Sequence, residues 1–261
     1  MARSISLQQS FLLGFAGLVA FFALWTFLSV SGLTSPLFLP SPAAVAERFG
    51  FLLHTRFAGG TLLQHLGASF ERFAYGFGLA ALVGIPLGLM MGWFRLLDDI
   101  VTPLFDAVRF IAPIAWVPFA ALWFGTGIGG PIMIIFAGAF PPCLINAYRG
   151  AKFVDPRLIE AARMLGTPDS RTILEVLFPS SVPSIIAGLR VSAGLGWQSL
   201  VGAELIVAST GVGYMMVQGQ GNLSTTTVMS GMIAIGLVGI AIDILLRGIE
   251  ARILRGRGRP G

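Results

Sequence analysis

The chain runs to 261 residues with a formal net charge of +5, 55% of it hydrophobic and only 11% charged, where soluble domains carry about 25% charged residues. The charges leave uncharged stretches at 4–46, 73–94, 110–148 and 205–242, each at least as long as the ~20 apolar residues that a helix needs to cross a bilayer. That pattern excludes a soluble globular protein, and the lone Cys143, read as buried filler, excludes an intrachain disulfide.

In chain order, the first apolar run, Phe11–Val30, is longer than a signal-peptide core and no small-x-small cleavage site follows it, so it is read as a retained span. Six spans are expected, at 11–31, 70–92, 104–124, 130–148, 184–207 and 228–247. After the first comes a long outer segment, Gly32–Ser69, with a rigid lead-in at Pro36, Pro40 and Pro42 and a short surface helix over Ala43–Leu53. His54 and His65, eleven apart without further ligands, are read there as polar surface. The 39 uncharged residues of 110–148 are nearly twice a bilayer core at about 1.5 Å per residue, so they must fold back. The break is written in Gly125–Pro131, and the last uncharged stretch breaks at Ser209–Tyr214 and Gly219–Thr227.

Lys and Arg placement orients the chain. With the N-terminus inside, 14 of these 17 residues, Arg109 among them, fall on inner segments and only Arg48, Arg56 and Arg72 on the outer side. Both termini are therefore expected to be cytoplasmic. The basic tail, with Arg255, Arg257 and Arg259, is read as a marker of that side and not as a nucleic-acid site.

The second span carries a small residue at every fourth position, Gly76, Ala80, Gly84, Gly88 and Gly92, and Gly188, Ser192 and Gly196 repeat the spacing on the fifth. Such faces let helix backbones approach closely, within a bundle or at a subunit seam. Pro86 and Pro141-Pro142 imply kinks or local rearrangements. No phosphate loop occurs, and Lys152 is the only lysine, so the chain lacks the usual means of binding ATP. Gly125, Gly127 and Gly130 satisfy G-x-G-x-x-G but follow an apolar helix, with no strand or ribose-binding acid, and are read as a hairpin turn. Neither a metal cluster nor a catalytic set is written in the sequence.

Charge within a span is costly and draws attention. Asp243 has Arg247 one helical turn on. Glu204, near the outer end of the fifth span, has no sequence-local partner and admits two readings, satisfaction by backbone and hydroxyls near Ser209–Gly213 or a place on a path or gate. Trp116, Trp123, Asn146, Trp197 and Gln198 are the other polar or amphipathic side chains within spans, and Arg72, Arg109 and Arg190 lie near span ends.

Between the fourth and fifth spans stands a charged knob, Asp155–Pro179. Asp155 is a candidate N-cap, Pro156 suits the first helical position, and Gly166 suits a left-handed C-terminus. Thr167-Pro168 restarts a helix and Pro179 is expected to end it, giving a rigid helix–turn–helix within the loop 150–183.

Within the knob, Glu160-Ala161-Ala162, three residues, Gly166, nine residues and Val176-Leu177-Phe178-Pro179 resemble the EAA loop of bacterial binding-protein-dependent ABC transporter permeases. Val176 and Phe178 are apolar replacements for the usual Ile and Leu. The likeness extends from about Thr61 to Arg252. Ala115-Trp116-Val117-Pro118, Leu122-Trp123-Phe124-Gly125, Ala203-Glu204-Leu205 and Gly211-Val212-Gly213-Tyr214 are similar to the nitrate, taurine, sulfonate and bicarbonate group.

The resemblance implies an all-α integral membrane protein of the bacterial cytoplasmic (inner) membrane, with six spans, cytoplasmic termini and a two-helix cytoplasmic coupling loop. Residues 1–60 would hold the first span and the outer amphipathic segment, 61–252 the five-span core, and 253–261 the tail. It implies a homodimeric, ATP-driven, alternating-access importer for a small solute, the expected cargo being an anion such as a sulfonate, taurine or nitrate. Its partners would be two cytoplasmic ATPase subunits holding ATP and Mg, a periplasmic or lipoprotein solute-binding protein, and lipid. The chain itself would bind no cofactor and no nucleic acid. Leu158, Glu160, Ala161, Ala162, Arg163, Leu165 and Gly166 would couple to the ATPase, and Trp116, Asn146, Trp197, Gln198 and Glu204 are candidates for the path or gate. The alternative from the residues alone is a stand-alone secondary transporter or channel using Glu204.

Overall fold

The computed structural model describes residues 7–32, 34, 35, 37–125 and 127–255. Arg3, Pro36 and the tail arginines Arg257 and Arg259 lie outside the described residues. All named elements are helical, and the only β pairing among the described residues is an isolated bridge between Phe57 and Gly60. Five of the described helices are long and apolar enough to cross a membrane, and a pair of helices bent by 85° is apolar enough to make a broken sixth span or a re-entrant loop.

The described residues form two units. The first holds residues up to Leu63 and Met215–Ile233. Its α1 (Leu7–Val30) exposes apolar side chains all round, as a lipid-facing span must. Beyond it the Trp25 indole donates to Pro40 O (3.0 Å) and the Ser29 hydroxyl to Leu39 O (2.9 Å), fixing the turn. α2 (Pro42–His54) starts where expected: Ser41 caps it by accepting from Ala44 N (3.2 Å), with Pro42 at the first position. Val45 and Leu52, two turns apart, form its buried face. Arg48 Nε donates to the Thr227 hydroxyl (2.9 Å), and His54 is exposed.

The second unit holds the described residues of 64–214 and 234–255. Here α6 (Gly129–Lys152) lies between α3 (Leu62–Trp93) and α9 (Phe178–Ile206). The fourfold spacing on α3 packs within the unit. A Cβ at Gly76 would lie 2.6 Å from that of Ile135, and one at Gly88 2.5 Å from Leu144 O. On α6's other side Gly150 meets Ser181 and Ser184, and Gly196 of α9 meets Ala139. Lipid offers no hydrophobic drive between helices, so this close fit carries the association. Cys143 is buried in it, 2% exposed. α11 (Thr225–Arg255) adds Asp243, which pairs with Arg247 (2.8 Å), as its spacing suggests, and also with Arg190 of α9 (2.7 Å).

Three sequence expectations are corrected. α3 begins at Leu62, so it takes in His65, Ser69 and Arg72. His65 is not polar surface: it is 3% exposed and its Nδ1 accepts from Gly211 N (3.2 Å). Pro86 and Pro141-Pro142, where kinks or local rearrangements are expected, lie inside continuous helices. Pro179 does not end the knob's second helix. α8 (Asp169–Thr172), a π turn (Ile173–Leu177) and α9 form one 38-residue helix. At the π turn Phe178 N donates to Ile173 O, five residues back, and this shifted register accommodates a proline that cannot donate.

The span expected at 104–124 is a broken helix pair that begins earlier, at Arg95. α4 (Arg95–Val108) stops at Arg109, and a single 3₁₀ turn (Pro113–Trp116) leads into α5 (Val117–Phe124) at 85°. The residue before a proline is driven out of the helical region, and Ala112 is extended (φ −57°, ψ 138°). Gly125, with φ +62°, then turns the chain into α6.

Candidate functional site

The knob is built from its ends. The Asp155 carboxylate accepts from Arg157 N (3.0 Å), and Pro156 opens α7 (Pro156–Met164). At the other end Gly166 takes φ +73°, its N–H reaching Arg163 O (2.9 Å) while Thr167 N reaches Ala162 O (3.1 Å). These two bonds are a Schellman closure, which needs a left-handed residue in the glycine's place. One face holds the knob down: Ala162 is buried and Ile159 packs on the cluster of Leu89, Ala147, Ala151, Val154, Leu177 and Ile185. The Arg163 guanidinium lies 6.0 Å from the Trp93 ring centre. The other face is open, with Glu160, Ala161 and Gly166 exposed and Leu158, Met164 and Leu165 exposed by 50%, 86% and 85%. The coupling residues proposed from sequence thus divide into an anchored and a presented set.

From the knob end α4 climbs along α6. Asp98 accepts from the Tyr148 hydroxyl (2.7 Å) and Lys152 Nζ (3.1 Å) in α6's last turns. Two turns on, the Phe105 ring is 6.2 Å from that of Phe140. Arg109, one turn further, lines the same cavities as Ala137. Ala137 stands roughly 12 Å from the far end of α6 at 1.5 Å per residue, so Arg109 lies alongside α6.

The break after α4 opens a cavity of about 500 Å³, lined by Arg109, Ile114, Gly138, Asn146, Gln198 and Ser199 among others. Pro141 and Pro142 have no N–H, so the carbonyls of Ala137 and Gly138 on this wall lack their usual amide donors four residues on. A second cavity, about 840 Å³, shares Asn146 and runs past Arg149 and Ser180 to Asp155 and Leu158 of the knob. Two of the five path candidates, Asn146 and Gln198, therefore come together. Trp116 lines an adjoining apolar cavity with Phe105, Phe136 and Phe140, which shares Arg109, Ile111, Ala137 and Pro141 with the first. Trp197 is in the core, edge-on to Phe73, its indole donating to Ile235 O (3.0 Å).

Glu204 lies elsewhere, 1% exposed near the far end of α9. It accepts from Arg72 Nη1 (2.7 Å), the Ser69 hydroxyl (2.8 Å) and Gly213 N (3.0 Å). Arg72 also donates to Thr210 through its carbonyl and hydroxyl, and Val212 N donates to Ser69 Oγ (3.0 Å). The group straps the loop after α9 onto the first turns of α3. Gly211, with φ +109°, lies against the carboxylate and leaves no room for a side chain.

Residues 84–256 match the family described as binding-protein-dependent transport system inner membrane component. The chain belongs to that family. It is thus a multi-pass inner-membrane transport component and not an enzyme. It is 40% identical over 232 residues (87% of this chain, 85% of the other) to an ABC transporter permease protein of Methanocaldococcus jannaschii. It is 33% identical to the taurine transport system permease protein of Escherichia coli (95% and 90% covered). The bicarbonate transport system permease protein of Synechococcus elongatus is also 33% identical (94% and 90%). A solved inward-facing structure of the MetNI methionine ABC transporter shares the fold, with a TM-score of 0.54, 21% identity and 78% and 98% coverage. The permease's Asp98–Tyr148–Lys152 cluster escaped the sequence reading, which placed Arg109 near a span end but did not join it to Asn146 and Gln198. The signal for Arg109 was its place just before an uncharged stretch interrupted at Ala112-Pro113.

Proposed function

We propose that two copies of this permease form the path of an ATP-driven importer for a small oxyanion, such as a sulfonate, taurine, nitrate or bicarbonate. Each copy takes its power from a separate cytoplasmic ATPase that holds ATP and Mg, and receives cargo from a solute-binding protein on the outer side. The observation that carries the reading is the knob: capped at both ends, anchored by Ile159 and Ala162, and offering Leu158, Glu160, Ala161 and Leu165 outward. A rigid short helix with an exposed apolar edge suits a groove on a partner, and because it is anchored on α3, α6 and α9 it passes displacement to the spans. The anion class is supported by the cargo named for the relatives.

The experiment is cysteine crosslinking from Ala161 and Gly166 to the ATPase subunit. The expected result is a nucleotide-dependent crosslink, with uptake lost in Gly166→Trp, where a bulky residue meets a left-handed backbone (φ +73°). Absence of any crosslink, with uptake intact in Gly166→Trp, sinks the coupling role.

A further inference from the structure

We propose that Arg109, with the side-chain amides of Asn146 and Gln198, forms a binding station for a small oxyanion inside the path. The inference rests on the anion reading above and adds the residues that recognise the charge. Three observations meet there. Arg109 stands beside the span and not beyond its end, because Asp98 and Phe105 fix α4 along α6. A guanidinium at that depth is expensive unless it is paired or faces a wet cavity. The backbone is broken at the same level, and irregular backbone within a membrane persists where it lines such a cavity or is covered by protein. The cavity, about 500 Å³, falls within the roughly 300–1,000 Å³ range of small-molecule sites.

The hydrogen-bonding inventory favours an anion. Arg109 Nε is ion-paired with Asp106 Oδ1 (2.7 Å), and the guanidinium lies over the Phe110 ring, 4.5 Å from its centre. This fixes the plane and leaves the paired terminal nitrogens, the fork that matches two oxygens of a sulfonate, nitrate or bicarbonate. Asn146 spends one amide hydrogen on Pro142 O (2.9 Å) and keeps the other. Gln198 is exposed on the cavity wall and brings two. Ser199 donates to Leu195 O (2.8 Å), so only its lone pairs remain, and it is not among the donors. Asp106 keeps the arginine near neutrality overall. That suits a site an anion must leave as readily as it enters.

The test uses the permease assembled with its ATPase subunits in nanodiscs, free of nucleotide. Equilibrium dialysis measures radiolabelled taurine, ethanesulfonate and nitrate, and uptake is measured in parallel in vesicles with the binding protein. The expected result is saturable binding of at least one anion, weakened about tenfold or more in Arg109→Gln, the loss of a charge-assisted hydrogen bond. Arg109→Lys recovers part of it, and Gln198→Leu loses less than Arg109→Gln. Should Arg109→Gln fail to assemble, Gln198→Leu and Asn146→Leu decide. The proposal is overturned if wild type binds none of the three anions saturably, or if the assembled variants bind and transport as wild type does. In the latter case anion import itself still stands. Import of no anion by wild type removes the anion reading, and the station with it.

Discussion

Cutting the Glu204–Arg72 pair at either end leaves a buried charge with no counter-ion, which costs about 3–5 kcal/mol. Glu204→Met or Arg72→Met alone should therefore lower the thermal unfolding midpoint of the solubilised permease steeply. The double substitution should recover much of it, because a buried pair removed whole is often nearly neutral. If the double variant is stable and transports, Glu204 is a strap for the loop after α9. A stable double variant without transport gives its carboxylate a part in the path. The sequence exposed the problem but not its answer. Glu204 stood out as a charge within a span, yet its partner Arg72 is 132 residues away on another helix. Asp243–Arg247 was legible because helical periodicity alone brings the two together, whereas Arg190, the second partner of Asp243, was not.

At the scale of elements, the long helices were legible from gaps in charge and the knob from its capping residues, since both signals are local. Prolines are not uniform punctuation. Pro86, Pro141 and Pro142 sit within continuous helices and Pro179 sits just beyond a π turn, whereas Pro113 coincides with a break. Which proline breaks a helix is decided by what satisfies the freed carbonyls, and that depends on neighbours absent from the local sequence. The glycine stripe gives the sharper prediction. A Cβ on Gly88 would press within 2.5 Å of Leu144 O and 2.9 Å of Tyr148 N, backbone atoms that cannot swing aside. Gly88→Val should therefore leave little folded permease in the membrane by size-exclusion profile. Gly78, on the same helix, has nothing within 4 Å of its added Cβ. Gly78→Ala should be neutral, or stabilising by up to about 1 kcal/mol, since alanine loses less freedom in a helix. Equal damage from both would mean that the α3–α6 seam does not depend on close approach.

For the whole molecule, the decisive contrast is between a path that another chain drives and a transporter that works alone. The knob motif and the missing phosphate loop made the first legible from sequence; Glu204 kept the second open. The geometry bears on that choice, because a coupling-ion site needs a carboxylate free to exchange its proton or bind a cation. Both oxygens of Glu204 are instead taken up by Arg72, Ser69 and Gly213. Vesicles holding the permease alone should therefore show no anion uptake under an imposed proton or sodium gradient. Vesicles that also hold the ATPase subunits, with the binding protein outside and ATP within, should accumulate the anion. Accumulation should stop when ATP is replaced by a non-hydrolysable analogue, while the gradients leave its rate unchanged. Uptake by the permease alone, abolished in Glu204→Gln, would instead make Glu204 the ion site and reduce the knob to a folded loop. The two outcomes differ in the presence of transport and not in its degree, so this measurement also fixes how uptake data on the Arg109 and Gly166 variants are to be read.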